Sequence, residues 1–414
     1  MRILVGGTFL FSGFVKAIDP WGLVIKIGEY LAVWGLDVPG PLVTFAAFVL
    51  CAFEFVWGGM LLVGCYRRFS VWCVALMMAF MLPLTAYIAI ANPVDDCGCF
   101  GDFLVISNTA TLVKNIFLTA GIVYLWAYNA RVSSLFINYI HWIIGGLFTF
   151  FILIIELIGY NVQPMADFRR FAPGTMLLQT DEADDEEEDT DINYVYEKDG
   201  QRRTFTMYNL PDSTWTFVSR ELVGGSDDTS DGFVVIEDGE DITSEIINPD
   251  IEQFVVTIPD LSKADLSSTY LVNELNDFIT ARGGNLVALI GSDEEGIEWW
   301  KDISMASYPI LKAEPKLLKE LARGNAALTY LDHGRVEWKR SLSSISYTLV
   351  TEIPSSKLIQ ALNPESGYWL RTLCLGFVIL LAAILILDHS GKLLAWYIKR
   401  RKQFKKLLNS GSKQ

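Results

Sequence analysis

Two cysteines one residue apart stand in the run Asp95-Asp96-Cys97-Gly98-Cys99-Phe100-Gly101-Asp102. A disulfide between them would close a small ring that the backbone holds under strain. Such a bond is easier to reduce, and so a better oxidant, than a relaxed structural one. Two other readings of the pair stay open: a structural bridge that pins a loop, and one half of a metal site. The metal reading lacks a second Cys or His cluster, since His141, His333 and His389 are scattered. Of the six cysteines, Cys51, Cys65, Cys73 and Cys374 lie in or beside apolar runs, which leaves Cys97 and Cys99 chemically available.

Two charges fall inside apolar runs, Glu54 and Lys114. Charge within a bilayer is costly, so each is a candidate functional residue together with the cysteines. By helical rise Glu54 sits roughly 18 Å and Lys114 roughly 8 Å from the outer boundary, so they meet only if Lys114 reaches inward or a third group bridges them. A polar pair that locks the bundle is the competing reading. Glu156, near the end of its run, reads as an interfacial residue.

The elements that must position these residues are membrane spans. With 51% hydrophobic and 20% charged residues, the chain is more apolar than a soluble protein of that charge content would be. Apolar runs near residues 3–17, 42–64, 69–91, 109–128, 137–160 and 368–388 give about six spans. The first has about 15 apolar residues before Lys16, fewer than the roughly 20 needed, so either the true start lies further upstream or this helix sits short and snorkels. No small-residue cleavage site follows it, so it reads as a retained span. Cys65-Tyr66-Arg67-Arg68, the loop with Arg131 and the tail Lys399-Arg400-Arg401-Lys402 gather on one side, which should be the cytoplasm of a bacterial inner membrane. Both termini are then inside, and residues 18–41, 92–108 and 161–366 lie outside, in the periplasm. A net charge of −15 argues against nucleic acid as a partner; the bilayer is the evident one.

The large outer segment opens on Asp181-Glu182-Ala183-Asp184-Asp185-Glu186-Glu187-Glu188-Asp189, a solvated loop without the spacing or central glycine of an EF-hand calcium site. Short β-rich stretches follow at Tyr194-Val195-Tyr196, Thr204-Phe205-Thr206 and Trp215-Thr216-Phe217-Val218. Then strands are expected at 254–258 and 285–290, helices at 267–282, 294–303 and 315–322, and a closing hairpin at 327–331 and 335–339. Alternating strands and helices ending in a hairpin fit a thioredoxin-like α/β layer. The expected organisation is a membrane domain at 1–128, a fifth span at 129–160, the extracytoplasmic α/β domain at 161–366, and a sixth span with a basic tail at 367–414.

Phe11-Ser12-Gly13, Lys16, Asp19-Pro20, Glu29-Tyr30, Glu54, Gly58-Gly59, Cys97-Gly98-Cys99-Phe100-Gly101 and Lys114 resemble the four-helix DoxX-like group that contains the methylamine-utilisation protein MauE. The resemblance covers residues 1–128 and implies a membrane factor for thiol redox handling or the maturation of a disulfide-rich partner, with no assigned catalytic residue. Asp241-Ile242-Thr243 and Leu317–Asn325 resemble an extension of large DoxX-like proteins of Bacteroidota-type bacteria. That extension has no Cys-x-x-Cys, and Ala326 stands where a proline is expected before the penultimate strand, so the thioredoxin-like domain is degenerate.

Two functions are compatible with these features. In one, Cys97 and Cys99 cycle between dithiol and disulfide, taking electrons from an extracytoplasmic thioredoxin-like partner and passing them to a quinone, as in the analogous bundles of DsbB and vitamin K epoxide reductase. Those bundles carry a second cysteine pair as a relay, which this chain lacks outside. In the other, the chain is a non-enzymatic assembly scaffold with a structural Cys97–Cys99 bridge.

Overall fold

In the computed structural model, residues 1–94, 96–128, 133–178, 192–198, 201–206, 216–222, 233–237 and 240–411 are described. The acidic run 181–189 and Arg131 lie outside them.

The amino-terminal half is helical: α1 (Arg2–Ile18), α2 (Pro20–Val33), α3 (Gly40–Val63), α4 (Arg67–Ala91), α5 (Asn108–Ala127) and α6 (His141–Asn161). Five helices, counting a carboxy-terminal one, are long and apolar enough to cross a membrane, and the bent pair α1–α2 makes up to six. Residues 18–41, expected to lie outside the membrane, contain the helix α2. It leaves α1 at 97° because Asp19 caps its first turn, accepting from Gly22 N at 3.0 Å, and Pro20 suits the first helical position.

α1 and α3 lie against each other along a seam of small residues. A Cβ on Gly13 would stand 2.5 Å from Phe55 N, and one on Gly58 2.4 Å from Leu10 N, so only glycine permits this approach. The seam continues into a core of Cys51, Phe55, Phe148, Ile152 and Ile155 shared with α6.

The second half begins with β1 (Ile192–Lys198), β2 (Gln201–Thr206) and β3 (Thr216–Leu222), a three-stranded antiparallel sheet of order β2-β1-β3. A two-residue pair, β4 (Ile236–Glu237) and β5 (Glu240–Asp241), and the turn-like α7 (Thr243–Ile246) follow. The main layer contains β6 (Glu252–Ile258), α8 (Ser268–Ala281), β7 (Asn285–Ile290), α9 (Glu294–Ser304), β8 (Ile310–Lys312), α10 (Pro315–Leu321), β9 (Ala327–Asp332) and β10 (Arg335–Ser341). Its five strands run in the order β10-β9-β6-β7-β8, with β6, β7 and β8 parallel and the β9–β10 hairpin antiparallel at one edge.

Successive residues of β6 serve opposite faces. Phe254, Val256 and Ile258 pack with Leu275 and Ile279 of α8, while Val255 packs with Leu318 and Leu321 of α10. Helices cover both faces, which is why β6 and β7 read as nearly continuous apolar runs. The chain closes with α11 (Tyr347–Glu352), α12 (Ser355–Leu362) and α13 (Ser366–Gly411), whose Phe377 stacks on Phe151 of α6 with centroids 4.3 Å apart.

Candidate functional site

Glu54 is buried in the α1–α3 seam, and its partner is Lys16, not Lys114. Lys16 Nζ lies 2.8 Å from both carboxylate oxygens, and each side chain is 4% exposed. The expected snorkelling of Lys16 is therefore corrected: the short first helix ends against α3, and an ion pair neutralises its lysine inside the bundle. The Ser12 hydroxyl sits 2.8 Å from Glu54 Oε2 and 2.7 Å from the carbonyl oxygen of Cys99. The single Ser12 proton is within reach of two acceptors, the Glu54 carboxylate and the Cys99 carbonyl. The ion pair is thus connected, through one hydroxyl, to the backbone of the cysteine loop.

Other residues fix that loop. Tyr30 of α2 donates to the Cys97 carbonyl at 3.0 Å, and Lys26 holds Asp96 at 2.8 Å while the other Asp96 oxygen accepts from Gly98 N. Gly98 has φ +65°, a left-handed conformation that glycine adopts without the Cβ penalty. The two sulfurs are 3.1 Å apart as free thiols.

Lys114 lies 4.4 Å from the centroid of the Phe100 ring, and no ion pair joins it to a carboxylate among the described residues. Both Lys114 and Glu54 line the cavity under the cysteines. The Cys99 thiol is lowered to about 6, first by the hydrogen bond to Cys97, with Lys114 and Lys16 adding to it against the effect of burial. The same bond, then burial, pushes Cys97 far up. The nearby carboxylates are paired elsewhere, Asp96 with Lys26 and Asp102 with Arg323, and the charges of Lys114 and Lys16 act on the sulfurs.

Residues 1–128 match the family described as methylamine utilisation protein MauE. The first 128 residues are a MauE-like membrane domain. The cysteines, Glu54, Lys16 and Lys114 all belong to it. Residues 190–223 match a second family, a domain of unknown function numbered 8463. Neither a curated protein nor a solved structure matches the chain.

The α/β region reaches the MauE-like domain through Arg323, on the loop between α10 and β9. Its guanidinium binds Asp19 through Nε at 2.9 Å and also binds Asp102 of the cysteine loop. Arg323 is placed by Gln163, which accepts from its backbone N–H at 3.1 Å and donates to its carbonyl at 2.7 Å. Next to it, Asn325 and the Asp260 backbone exchange two bonds of 2.7 Å. Ala326 is held between these contacts at φ +133°, which the ring of proline forbids, so the proline expected there is incompatible with this loop. Phe103 and Phe168 add an edge contact at 4.9 Å between the two parts.

Sequence reasoning named Ser12, Lys16 and Tyr30 only as positions of the resemblance, and Arg323 only within the run Leu317–Asn325, and gave none of them a role beside the cysteines. Glu156 was also misjudged: it is fully buried, and both carboxylate oxygens are without a hydrogen-bond partner among the described residues.

Proposed function

We propose that this is an inner-membrane thiol–disulfide oxidoreductase whose working pair is Cys97 and Cys99, with both termini cytoplasmic and residues 161–366 on the outer side. The observation that carries the reading is two sulfurs 3.1 Å apart on the wall of an apolar cavity, with the charges of Lys16 and Lys114 acting on both and the hydrogen bond between them lowering the Cys99 thiol and raising that of Cys97. In the oxidised pair, a thiolate of an extracytoplasmic thioredoxin-like protein attacks Cys97, because Cys99 is the better leaving thiolate. The Cys97–Cys99 bond breaks as a mixed disulfide forms. A second partner thiol then attacks the partner's own sulfur, leaving the partner oxidised and the pair as two thiols. Return to the disulfide delivers two electrons and two protons to a quinone. The match of residues 1–128 to the MauE family and the α/β region seated beside the cysteine loop support a role in maturing a secreted, disulfide-bonded partner linked to methylamine utilisation.

The scaffold reading makes the opposite forecast for the cysteines. On non-reducing gels of membranes, Cys99→Ala should trap a mixed disulfide through Cys97, Cys97→Ala should trap several-fold less, and the double variant nothing. If no adduct forms in either single variant, and all three lose stability alike, the bridge is structural and the enzyme reading is wrong.

A further inference from the structure

We infer that the cavity beneath the cysteines is a quinone site entered sideways from the lipid; this rests on the thiol–disulfide reading of the pair. The cavity measures about 270 Å³ and both cysteines line it, together with Tyr30, Leu50, Met81 and Lys114. A second, open recess of about 330 Å³, lined by Trp34, Ala79, Phe80, Pro83, Leu84 and Tyr87, shares Trp34, Phe80 and Leu84 with it. The two hollows therefore adjoin at those shared side chains. Trp34, Phe80 and Tyr87 are substantially exposed on the apolar flank of the bundle, the surface that faces lipid. Pro83 lies inside α4, where its ring removes the bond that the Ala79 carbonyl would accept and loosens the helix at the recess.

The opposite side of the cysteine loop is narrower. Ala166 to Arg169 of the α/β region lie across a gap of only about 30 Å³ from Gly98, Gly101 and Asp102, and Arg323 ties Asp102 down. With its outer side narrowed but both cysteines still partly exposed, and its wider hollow apolar, the pair is open to a thiol from outside and to an oxidant dissolved in the bilayer from the flank. A quinone meets every condition in the cavity. Its ring fits an apolar space, its chain leaves through the gap at Trp34 and Phe80, and one carbonyl oxygen accepts from Lys114, which no carboxylate occupies among the described residues. Two S–H bonds break, the S–S bond forms, and the two electrons and two protons convert the quinone to quinol. Lys114 steadies the negative charge that develops on the ring oxygen between these transfers.

The test uses the full-length protein in lipid nanodiscs and a decyl-chain azidobenzoquinone as photoreactive probe. Adducts should fall on peptides containing Trp34 or residues 80–87, and decylubiquinone should chase them whereas oleate should not. With decylubiquinone as oxidant of the reduced pair, Lys114→Gln should raise the concentration for half-maximal rate at least ten-fold. Labels confined to α6 and α13, or chased equally by oleate, would make the cavity a general acyl-chain pocket and overturn the site. The wild-type labelling stands even where the variant fails to fold. If dithiothreitol and diamide interconvert the pair while the quinone results fail, only this site is lost. If the pair is inert to those water-soluble reagents as well, the thiol–disulfide reading itself is lost.

Discussion

The membrane bundle and the five-stranded sheet spend their polar residues in opposite ways. Both faces of the sheet are filled with aliphatic and aromatic side chains, and its chemistry-bearing contribution to the cysteine loop is a single guanidinium on a connecting loop. The bundle, where charge is most expensive, buries Lys16 and Glu54 and places Lys114 beside two thiols. The difference teaches where cost is borne: the bundle buries an ion pair next to the cysteine loop, whereas the sheet keeps an apolar core and offers that loop one arginine.

The largest effect expected from this contrast is in the seam. Glu54→Leu strands the Lys16 ammonium in the bundle, at about 3–5 kcal/mol, and should abolish accumulation of folded protein by fluorescence-detected size exclusion. Lys16→Met combined with Glu54→Leu should restore much of the folded protein, because an apolar pair of similar volume is close to neutral. A double variant as poor as the single one would mean that the charge itself, not its pairing, is required for folding.

Next in size is a cavity in the sheet. Leu328→Ala, at a fully buried position of β9, should destabilise the α/β region by about 2–5 kcal/mol while leaving the redox behaviour of the cysteines in the bundle intact. Thermal unfolding followed with thiol alkylation separates the two; coupled loss of both would refute the division of labour.

The smallest effect is one of titration. With the pair reduced, alkylation of Cys99 by iodoacetamide should rise with pH through a midpoint near 6, since the thiolate is the nucleophile and is lost as pH falls below that value. Cys97, shifted the other way, should remain unlabelled over the same range. Equal labelling of both thiols with a midpoint in the ordinary cysteine range would remove the asymmetry on which the order of attack depends.

Much of the architecture was legible because its cause is local. Strand 285–290 agrees with the expected limits to the residue, and helix 294–304 to within one, since hydrophobic period and turn residues set them. The three-residue β8 is too short to express any period, and α2 escaped because Lys26 and Glu29 interrupt an apolar run that is brief by the standard of a span. The cysteines, Glu54 and Lys114 could be singled out by type alone. Their partners could not, because pairing is a property of the fold: Lys16 is 38 residues from Glu54, and Arg323 is 221 residues from Asp102.

The Arg323 contact has a consequence for how the molecule is made. Asp19 and Asp102 leave the ribosome long before the arginine that binds both, and at 5–20 residues per second the 221 residues between Asp102 and Arg323 take roughly 10–45 s to synthesise. Throughout that interval the cysteine loop stands without its cover. The nascent chain therefore passes through a period in which the outward side of Cys97 and Cys99 is open to whatever thiols and oxidants surround it, and the redox state the finished protein starts from is set before its last third exists.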